Sequence, residues 1–483
     1  MQVRSIARIL GLVLMLFSVL ELPPMLLTAL YNESVSLPFV ESFLLLFGCG
    51  FMLWAPTIHA PKDLRRRDAM MVIALFWLVL SIAGSLPFWL GVVPTLGHLD
   101  GLFESVAGLS TTHANVLTAL DTLPKAVLFY RQELQWLGGL GVIILAVALY
   151  PILGIGGMQL YKSDTPGPMK DERLNPRITQ TARVLSVLYL GITVVCAAAY
   201  AVAGMTPFDA IAHALSTVST GGFSTHDQGL QYFHSVLVED VAMFFMFIGG
   251  INFALHFVAL RNKDIWAYFS DPQFRLYFWS MVGLGLLVSS LLFWQDTFRN
   301  PSEALHQGFF AVISMQSTAG FTIAPISLWP GALPTLLILI GFVGGSAGST
   351  SGGMKVIRWQ LVLKQAGREV RRMVHPNAAI FVKFADQRVP GRVLSAVTGF
   401  FAIYLVLFAL LMLGMLASGV DQTTAWSSVA ACLNNAGPGL GMTAQTFSQL
   451  PDIAKGLCIV AMLAGRLEVF TFVVLLTPTF WRG

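Results

Sequence analysis

Ser219-Thr220-Gly221-Gly222 closes a short apolar segment, Pro207–Val218, and three other stretches of the chain are built the same way. They are Ser110-Thr111-Thr112-His113, Ser317-Thr318-Ala319-Gly320 and Asn434-Asn435-Ala436-Gly437. The clusters recur roughly every hundred residues, an internal repeat of large units. Each lies between two hydrophobic runs long enough to cross a bilayer. Four backbone-rich loops around one axis make a ring of carbonyl oxygens, which is how a protein replaces the hydration shell of a monovalent cation. The repeat predicts an ion pore.

Composition agrees. With 55% apolar and only 11% charged residues, the chain falls among polytopic membrane proteins. Runs such as Met70–Leu90, Val184–Val202, Asp240–Leu260, Leu276–Phe293 and Val397–Leu416 approach the length a helix needs to cross hydrocarbon. Arg4 and Arg8 precede an apolar run as in a signal peptide, but no small-x-small site follows and the run continues to Leu30. A retained first helix is expected. Cys49, Cys196, Cys432 and Cys458 lack metal-ligand spacing and read as reduced packing residues.

Most of the 29 Lys and Arg fall in four connections, Lys62–Asp68, Lys162–Arg183, Arg261–Arg275 and Lys355–Arg392. The positive-inside rule puts all four in the cytoplasm. The connections bearing the clusters then face outward with Asp100, Glu104, Asp121, Asp209, Asp227, Glu239, Asp240, Asp296, Glu303, Asp421 and Asp452. Such an acidic mouth concentrates cations; alternatively, the acids merely follow from topology.

The expected fold is an all-α polytopic membrane protein of ten spans with both termini cytoplasmic. Two N-terminal spans, Ile6–Leu30 and Leu37–Trp54, fill residues 1–69. Four units follow at 70–160, 161–265, 266–384 and 385–483, each an entering helix, a short segment, a polar turn and a returning helix. The short segments Leu102–Leu109, Pro207–Val218, Ser302–Met315 and Thr423–Leu433 are too short to span and read as re-entrant. Each aims its C-terminal dipole end at its turn, which favours a cation there. Non-helical backbone cannot face lipid, so the turns are buried together or line water. Gly138, Gly139 and Gly141 read as packing contacts, whereas glycines in the turns serve backbone angles that a Cβ resists.

Two further features stand at membrane depth. The run Gly344-Gly345-Ser346-Ala347-Gly348-Ser349-Thr350-Ser351-Gly352-Gly353 interrupts a returning helix from Leu333 to Leu363, and only this third returning helix is expected to be broken. Either it lines a cavity or it is a passive break for packing. Arg466 sits inside the last span, where an arginine costs about 2.5–3.5 kcal/mol. Glu468 lies on another helical face and is a poor partner for it. His213, His226 and His256 lack a second ligand at a matching offset. No Ser/His/Asp or Cys/His arrangement reads as an enzyme, and no motif for NAD, ATP or nucleic acid is present.

In their context the clusters resemble the Trk/Ktr/HKT superfamily of potassium transporters, and within it the bacterial TrkH/TrkG membrane subunits. Phe103-Glu104-Ser105, Gly222-Phe223-Ser224-Thr225-His226, Gly320-Phe321-Thr322 and Gly437-Pro438-Gly439-Leu440 carry the likeness. So do Gly345–Thr350, His375-Pro376-Asn377-Ala378 and Gly465-Arg466-Leu467-Glu468-Val469-Phe470, so that it spans essentially the whole chain. The resemblance implies four pseudo-symmetric helix–pore-loop–helix units around one pore. It implies a K⁺ filter of backbone carbonyls around Thr111, Thr112, Ser219, Thr220, Gly221, Thr318, Ala319, Asn434, Asn435 and Ala436. Gly222, Gly320 and Gly437 take the filter-glycine positions.

His113 stands where the family usually has glycine. Histidine is somewhat enriched at positive φ, so the turn is expected to survive. The ring either packs behind the filter, or it alters K⁺/Na⁺ discrimination or makes transport pH-sensitive. The resemblance further implies a gate of Gly345, Ser346, Ala347, Gly348, Ser349 and Thr350 under the filter, with Arg466 repelling cations there. A structural salt bridge is the other reading of Arg466. Implied too are a homodimer in the lipid of the bacterial inner membrane and a cytoplasmic nucleotide-binding regulatory ring of the TrkA type. The expected function is gated potassium uptake with K⁺ as the only ligand and no covalent cofactor. A same-fold transporter that carries Na⁺, alone or with K⁺ and possibly coupled to H⁺ or Na⁺, and a non-conducting sensor are the alternatives.

Overall fold

The computed structural model of the chain describes residues 2–61, 65–93, 95–148, 175–385 and 387–482. Most of the basic connection at 162–183, residues 62–64 of the first one, the unit boundary at 160 and Asp386 lie outside them.

The N-terminal spans are α1 (Val3–Ser18), α2 (Leu22–Tyr31) and α3 (Ser36–Trp54), the first two forming one apolar run. Gly11 and Gly50 let α1 and α3 touch backbone to backbone, since a Cβ on either would collide with the other's carbonyl region. Next come α4 (Arg66–Trp89), the short α5 (His98–Leu109) and α6 (Lys125–Ala148). The same order recurs as α7 (Asn175–Val202), short α8 (Pro207–Val218) and the bent pair α9 (Val236–Gly249) and α10 (Phe253–Asn262). After α11 (Trp266–Ser270) it recurs as α12 (Pro272–Trp294), short α13 (Pro301–Gln316), α14 (Leu333–Gly341) and α15 (Val356–Val374). Beyond a hairpin of β1 (Lys383–Phe384) and β2 (Gln387–Arg388) the last set is α16 (Gly391–Ala417), short α17 (Gln422–Leu433), α18 (Asp452–Arg466) and α19 (Val469–Leu476), closed by α20 (Pro478–Arg482).

Local chemistry fixes where the short helices start. Thr206 and Asn300 each cap a helix that opens on proline, accepting the N–H groups of Asp209 at 3.2 Å and Ser302 at 3.1 Å. Asp421 does the same for Thr424 at 3.0 Å. Long helices turn Leu, Val and Phe outward, including Leu26, Val194, Leu286, Leu405 and Leu410, as lipid-facing surfaces do.

Among the described residues six helical runs are long and apolar enough to cross a membrane, and two bent pairs bring the number to eight. The other two of the ten expected crossings are α6, which carries Lys125, Arg131 and Glu133, and the interrupted α14–α15. The structure corrects the expectation of a single broken returning helix. The second is bent by 97° between α9 and α10, and the fourth by 111° between α18 and α19. At the first bend a Cβ on Gly250 would occupy the space of the Tyr277 hydroxyl, and the Asn252 side chain caps α10 through the Ala254 N–H at 2.9 Å. At the second, Glu468 takes φ 55° and pairs with Arg358.

Candidate functional site

All four short helices end alike. Ser110, Ser219, Ser317 and Asn434 are C-caps with φ of −75°, −74°, −73° and −85°. The residues after them, Thr111, Thr220, Thr318 and Asn435, are left-handed at 53°, 52°, 58° and 53°. Their N–H groups donate to carbonyls three residues back, on Gly108, Thr217, Met315 and Cys432. The next N–H groups, of Thr112, Gly221, Ala319 and Ala436, reach five back to Ala107, Ser216, Ser314 and Ala431 at 2.8–2.9 Å. This is the Schellman closure, with threonine or asparagine where glycine is usual.

A β-branched residue at positive φ is an outlier costing about 1–2 kcal/mol, so three aligned threonines need support. Thr318 Oγ1 accepts the Gly352 N–H at 2.6 Å. Thr220 Oγ1 bonds to the Ser219 carbonyl at 2.7 Å. Asn435 Nδ2 donates to Thr112 Oγ1 and the Met462 carbonyl, both at 3.0 Å. Sequence reasoning placed the conformational demand on the glycines and missed this one; the signal was the hydroxyl or Asn at the second place of every cluster.

In three turns φ then returns negative and becomes positive again at Gly222 (85°), Gly320 (77°) and Gly437 (99°). A Cβ on Gly222 would strike the Ala319 carbonyl and His113 Nδ1; on Gly320, the Ala436 carbonyl; on Gly437, the backbone of His113. The turns therefore abut in the order one, two, three, four. Behind the second, the Gln135 amide donates to the Gly221 carbonyl at 2.8 Å and accepts the Phe223 N–H at 3.1 Å and the Ser216 hydroxyl at 2.7 Å. Gly138 and Gly139 admit this helix, α6, against the ends of α5 and α8: a Cβ on them would meet the Leu109 carbonyl and Ser219.

Glu104 belongs to this framework and not to the acidic mouth expected of it. It is fully buried and pairs with Arg131 at 2.5 Å, while its other oxygen accepts the Val116 N–H at 3.0 Å. The Arg131 guanidinium in turn lies 4.3 Å from the Phe223 ring centre. Asp209, also assigned to the mouth, is largely buried and bonded by the hydroxyls of Thr206 and Thr225, each at 2.7 Å.

His113 departs from the expectation that it would keep the left-handed turn: its φ is not positive. Nor does its ring pack behind its own turn. Nδ1 lies 2.8 Å from the Gly320 carbonyl of the third turn, which stands opposite in the ring. A carbonyl only accepts, so Nδ1 carries the hydrogen. Phe223 and Phe321 meet the imidazole edge-on, with centroids 6.1 and 6.2 Å away.

Residues 342–355 form a buried loop whose polar groups pair with the turns above and the bend beside it. Ser351 Oγ donates to the Ser317 carbonyl at 2.6 Å, Thr350 Oγ1 reaches the Gly249 and Val218 carbonyls at 3.0 and 3.2 Å, and the Gly353 N–H meets the Asn434 carbonyl at 2.8 Å. Ser346 N–H takes the Gly250 carbonyl at 2.9 Å, Gly348 O accepts from Phe253 at 3.1 Å, and the Ala347 N–H reaches Gln273 at 3.1 Å. Ser349 Oγ closes back on the Ser346 carbonyl, and Gly345 accepts the Val356 N–H. The loop is thus fastened to turns two, three and four.

Arg466, 4% exposed, donates to the Thr350 carbonyl at 3.1 Å and the Gly138 carbonyl at 3.3 Å, tying the loop to α6. Glu468 pairs with Arg358 instead. Lys355, which the sequence did not single out, takes φ 73° and donates to the Ser351 carbonyl. A cavity of about 40 Å³ beneath the turns is lined by Lys355, Arg358, Asn435, Arg466 and Glu468 among others. Three cationic side chains, one of them paired with Glu468, and a packed loop thus border this cavity.

Away from this loop His226 joins two units, with Nδ1 2.5 Å from Asp121 and Nε2 3.5 Å from Asp209. Burial opposes its charged form, but the two carboxylates outweigh it and raise its pKa above 6.5. The hydrogen bond from His226 holds Asp121 below the usual carboxylate range. His213 bonds to the Asp209 carbonyl and Ser224, and His256 to Tyr268 and the Ile248 carbonyl.

A family model described as "TrkH: Cation transport protein" matches residues 36–482. Over their full lengths the chain is 49% identical to the Trk system potassium uptake protein TrkH of Halomonas elongata and 45% identical to that of Escherichia coli K12. It is also similar to the crystal structure of the potassium transporter TrkH from Vibrio parahaemolyticus, with a TM-score of 0.94, 47% identity and full coverage of both chains.

Proposed function

The chain belongs to the TrkH family of cation transport proteins, and from that premise we infer that it takes up potassium across the cytoplasmic membrane. It is a multi-pass membrane transporter and not an enzyme. The observation that carries the mechanism is the fourfold turn, in which the same backbone reversal follows each short helix.

In the mechanism proposed, backbone carbonyls around Thr111, Thr112, Ser219, Thr220, Gly221, Thr318, Ala319, Asn434, Asn435 and Ala436 replace the water of a K⁺ ion, aided by the dipole ends of the four short helices; those of Ser219, Gly221 and Asn434 are engaged by Thr220, Gln135 and Gly353 in the structure. Gly222, Gly320 and Gly437 supply backbone that can approach its neighbour closely. The loop Gly345–Thr350, with its continuation to Gly353, acts as the gate; its hydrogen bonds to turns two, three and four support that role. Arg466 and Lys355 add positive charge on the same path and oppose a cation there. An ion entering down an inside-negative potential gains about 2.3 kcal/mol per 100 mV, which supports accumulation.

Further parts of the proposal are a homodimer, an inner-membrane location with both termini cytoplasmic, and control by a nucleotide-binding ring of the TrkA type. The basic helix α15, with Arg368, Arg371 and Arg372 outside the apolar region, supports a cytoplasmic docking face. The test is ion flux into vesicles holding the purified chain, under an imposed inside-negative potential. Potassium uptake is expected. Flux of Na⁺ alone would favour a sodium carrier, and no flux with the regulatory ring present would favour a sensor; either result overturns the reading.

A further inference from the structure

The inference rests on the potassium-uptake reading above and concerns the one turn that breaks the pattern. Three turns end on a left-handed glycine whose neighbour's backbone fills the space where a Cβ would be. The first ends on His113, with φ not positive and a side chain directed across the ring. Its hydrogen bond runs to the carbonyl of Gly320, in the opposite unit, at 2.8 Å. The ring also stands against Gly222, where a Cβ would meet Nδ1, and its Cβ stands close to Gly320 and Gly437. Side-chain atoms of a single residue therefore touch the end of every other turn.

We propose that His113 is a selectivity-determining strap across the outer end of the carbonyl ring, holding the Gly320 oxygen out of ion coordination until an ion displaces the imidazole. While the strap holds, the site at this end of the ring offers one carbonyl fewer. Each ion must also exchange its contact for the existing hydrogen bond. A site with fewer carbonyls discriminates less between a K⁺ and a Na⁺ that have shed water. Wild-type transport is accordingly slower and less K⁺-selective than the same ring without the strap.

The variants are His113→Ala, which fits the observed backbone, and His113→Gly, which matches the other turns. Initial K⁺ and Na⁺ uptake are measured in vesicles at equal protein, with folding followed by elution as a single species in detergent. Losing one hydrogen bond predicts K⁺ uptake faster by about two- to tenfold, with a higher K⁺/Na⁺ ratio. If wild type carries K⁺ and either folded variant matches it in rate and ratio, or is slower, the strap is wrong while potassium uptake stands. If both variants fail to fold, the ring is a fixed structural part and the strap is likewise wrong. Uptake by neither wild type nor variants overturns the potassium reading and the strap with it; uptake only by the variants supports the strap.

Discussion

The hydroxyls of Thr350 and Ser351 give the sharpest test of the gate. Ser351 Oγ holds the Ser317 carbonyl at 2.6 Å and stands 3.2 Å from Thr318 Oγ1. Thr350 Oγ1 donates to the Gly249 or Val218 carbonyl and lies 3.2 Å from Thr220 Oγ1. The pair Thr350→Val and Ser351→Ala keeps shape within one atom per residue and removes both donors. At about 0.5–1.5 kcal/mol per hydrogen bond, the closed loop loses roughly 1–3 kcal/mol, a 5- to 150-fold shift toward opening. Flux through a mostly closed pore scales with the open fraction. Potassium uptake into vesicles without any partner should therefore rise at least about fivefold in the double variant. The control is Ser346→Ala in the same loop, whose hydroxyl is buried with no hydrogen-bond partner among the described residues and should change flux little. A folded double variant with wild-type flux, or a Ser346→Ala variant that rises equally, refutes the latch.

Three other outcomes follow from the same geometry. Gly222→Ala must carry a Cβ at φ 85° against the Ala319 carbonyl, so K⁺ uptake should fall at least about tenfold, measured in the same vesicles. Arg131→Leu leaves the buried Glu104 carboxylate unpaired at a cost of about 3–5 kcal/mol, lowering the melting temperature in detergent, whereas adding Glu104→Gln should restore much of it. Because the pKa of His226 is raised above 6.5, its pairing stabilises the fold fully below 6.5 and is lost as pH rises through the raised folded value. Wild-type melting temperature should drop across that window more steeply than that of His226→Gln, and equal slopes would remove His226 from the account.

Three of the short helices were readable to within a residue because a proline or a capping side chain opens each and a polar turn closes it, and α8 runs Pro207–Val218 as the pattern requires; α5 starts at His98, four residues before the expected Leu102, with no side-chain cap to mark it. The repeat of turns was readable for the same reason. Their internal geometry was not. Threonine at positive φ contradicts local preference, and at Thr318 a tertiary partner, the Gly352 N–H, holds it. The bends after Gly249 and Arg466 were not readable locally, since the breaks answer to Tyr277 and Arg358 from distant segments. Glu104 was misplaced because an acid near an outward loop looks solvent-exposed until Arg131, more than twenty residues on, is brought against it. His113 showed plainly as an exception, but the path of its ring depended on the opposite turn.

The bend at Gly249–Gly250 and the loop at 342–355 complete one another's backbone hydrogen bonding: the bend frees carbonyls, and Ser346 and Thr350 supply the N–H groups that meet them. Withdrawing the loop strands those carbonyls, together with that of Asn434, deep in a region where lipid offers no substitute. Only water can take the vacated places. If this loop is the proposed gate, its opening is a wetting event, and any agent that starves the cavity of water should hold the pathway shut even when every latch has been cut.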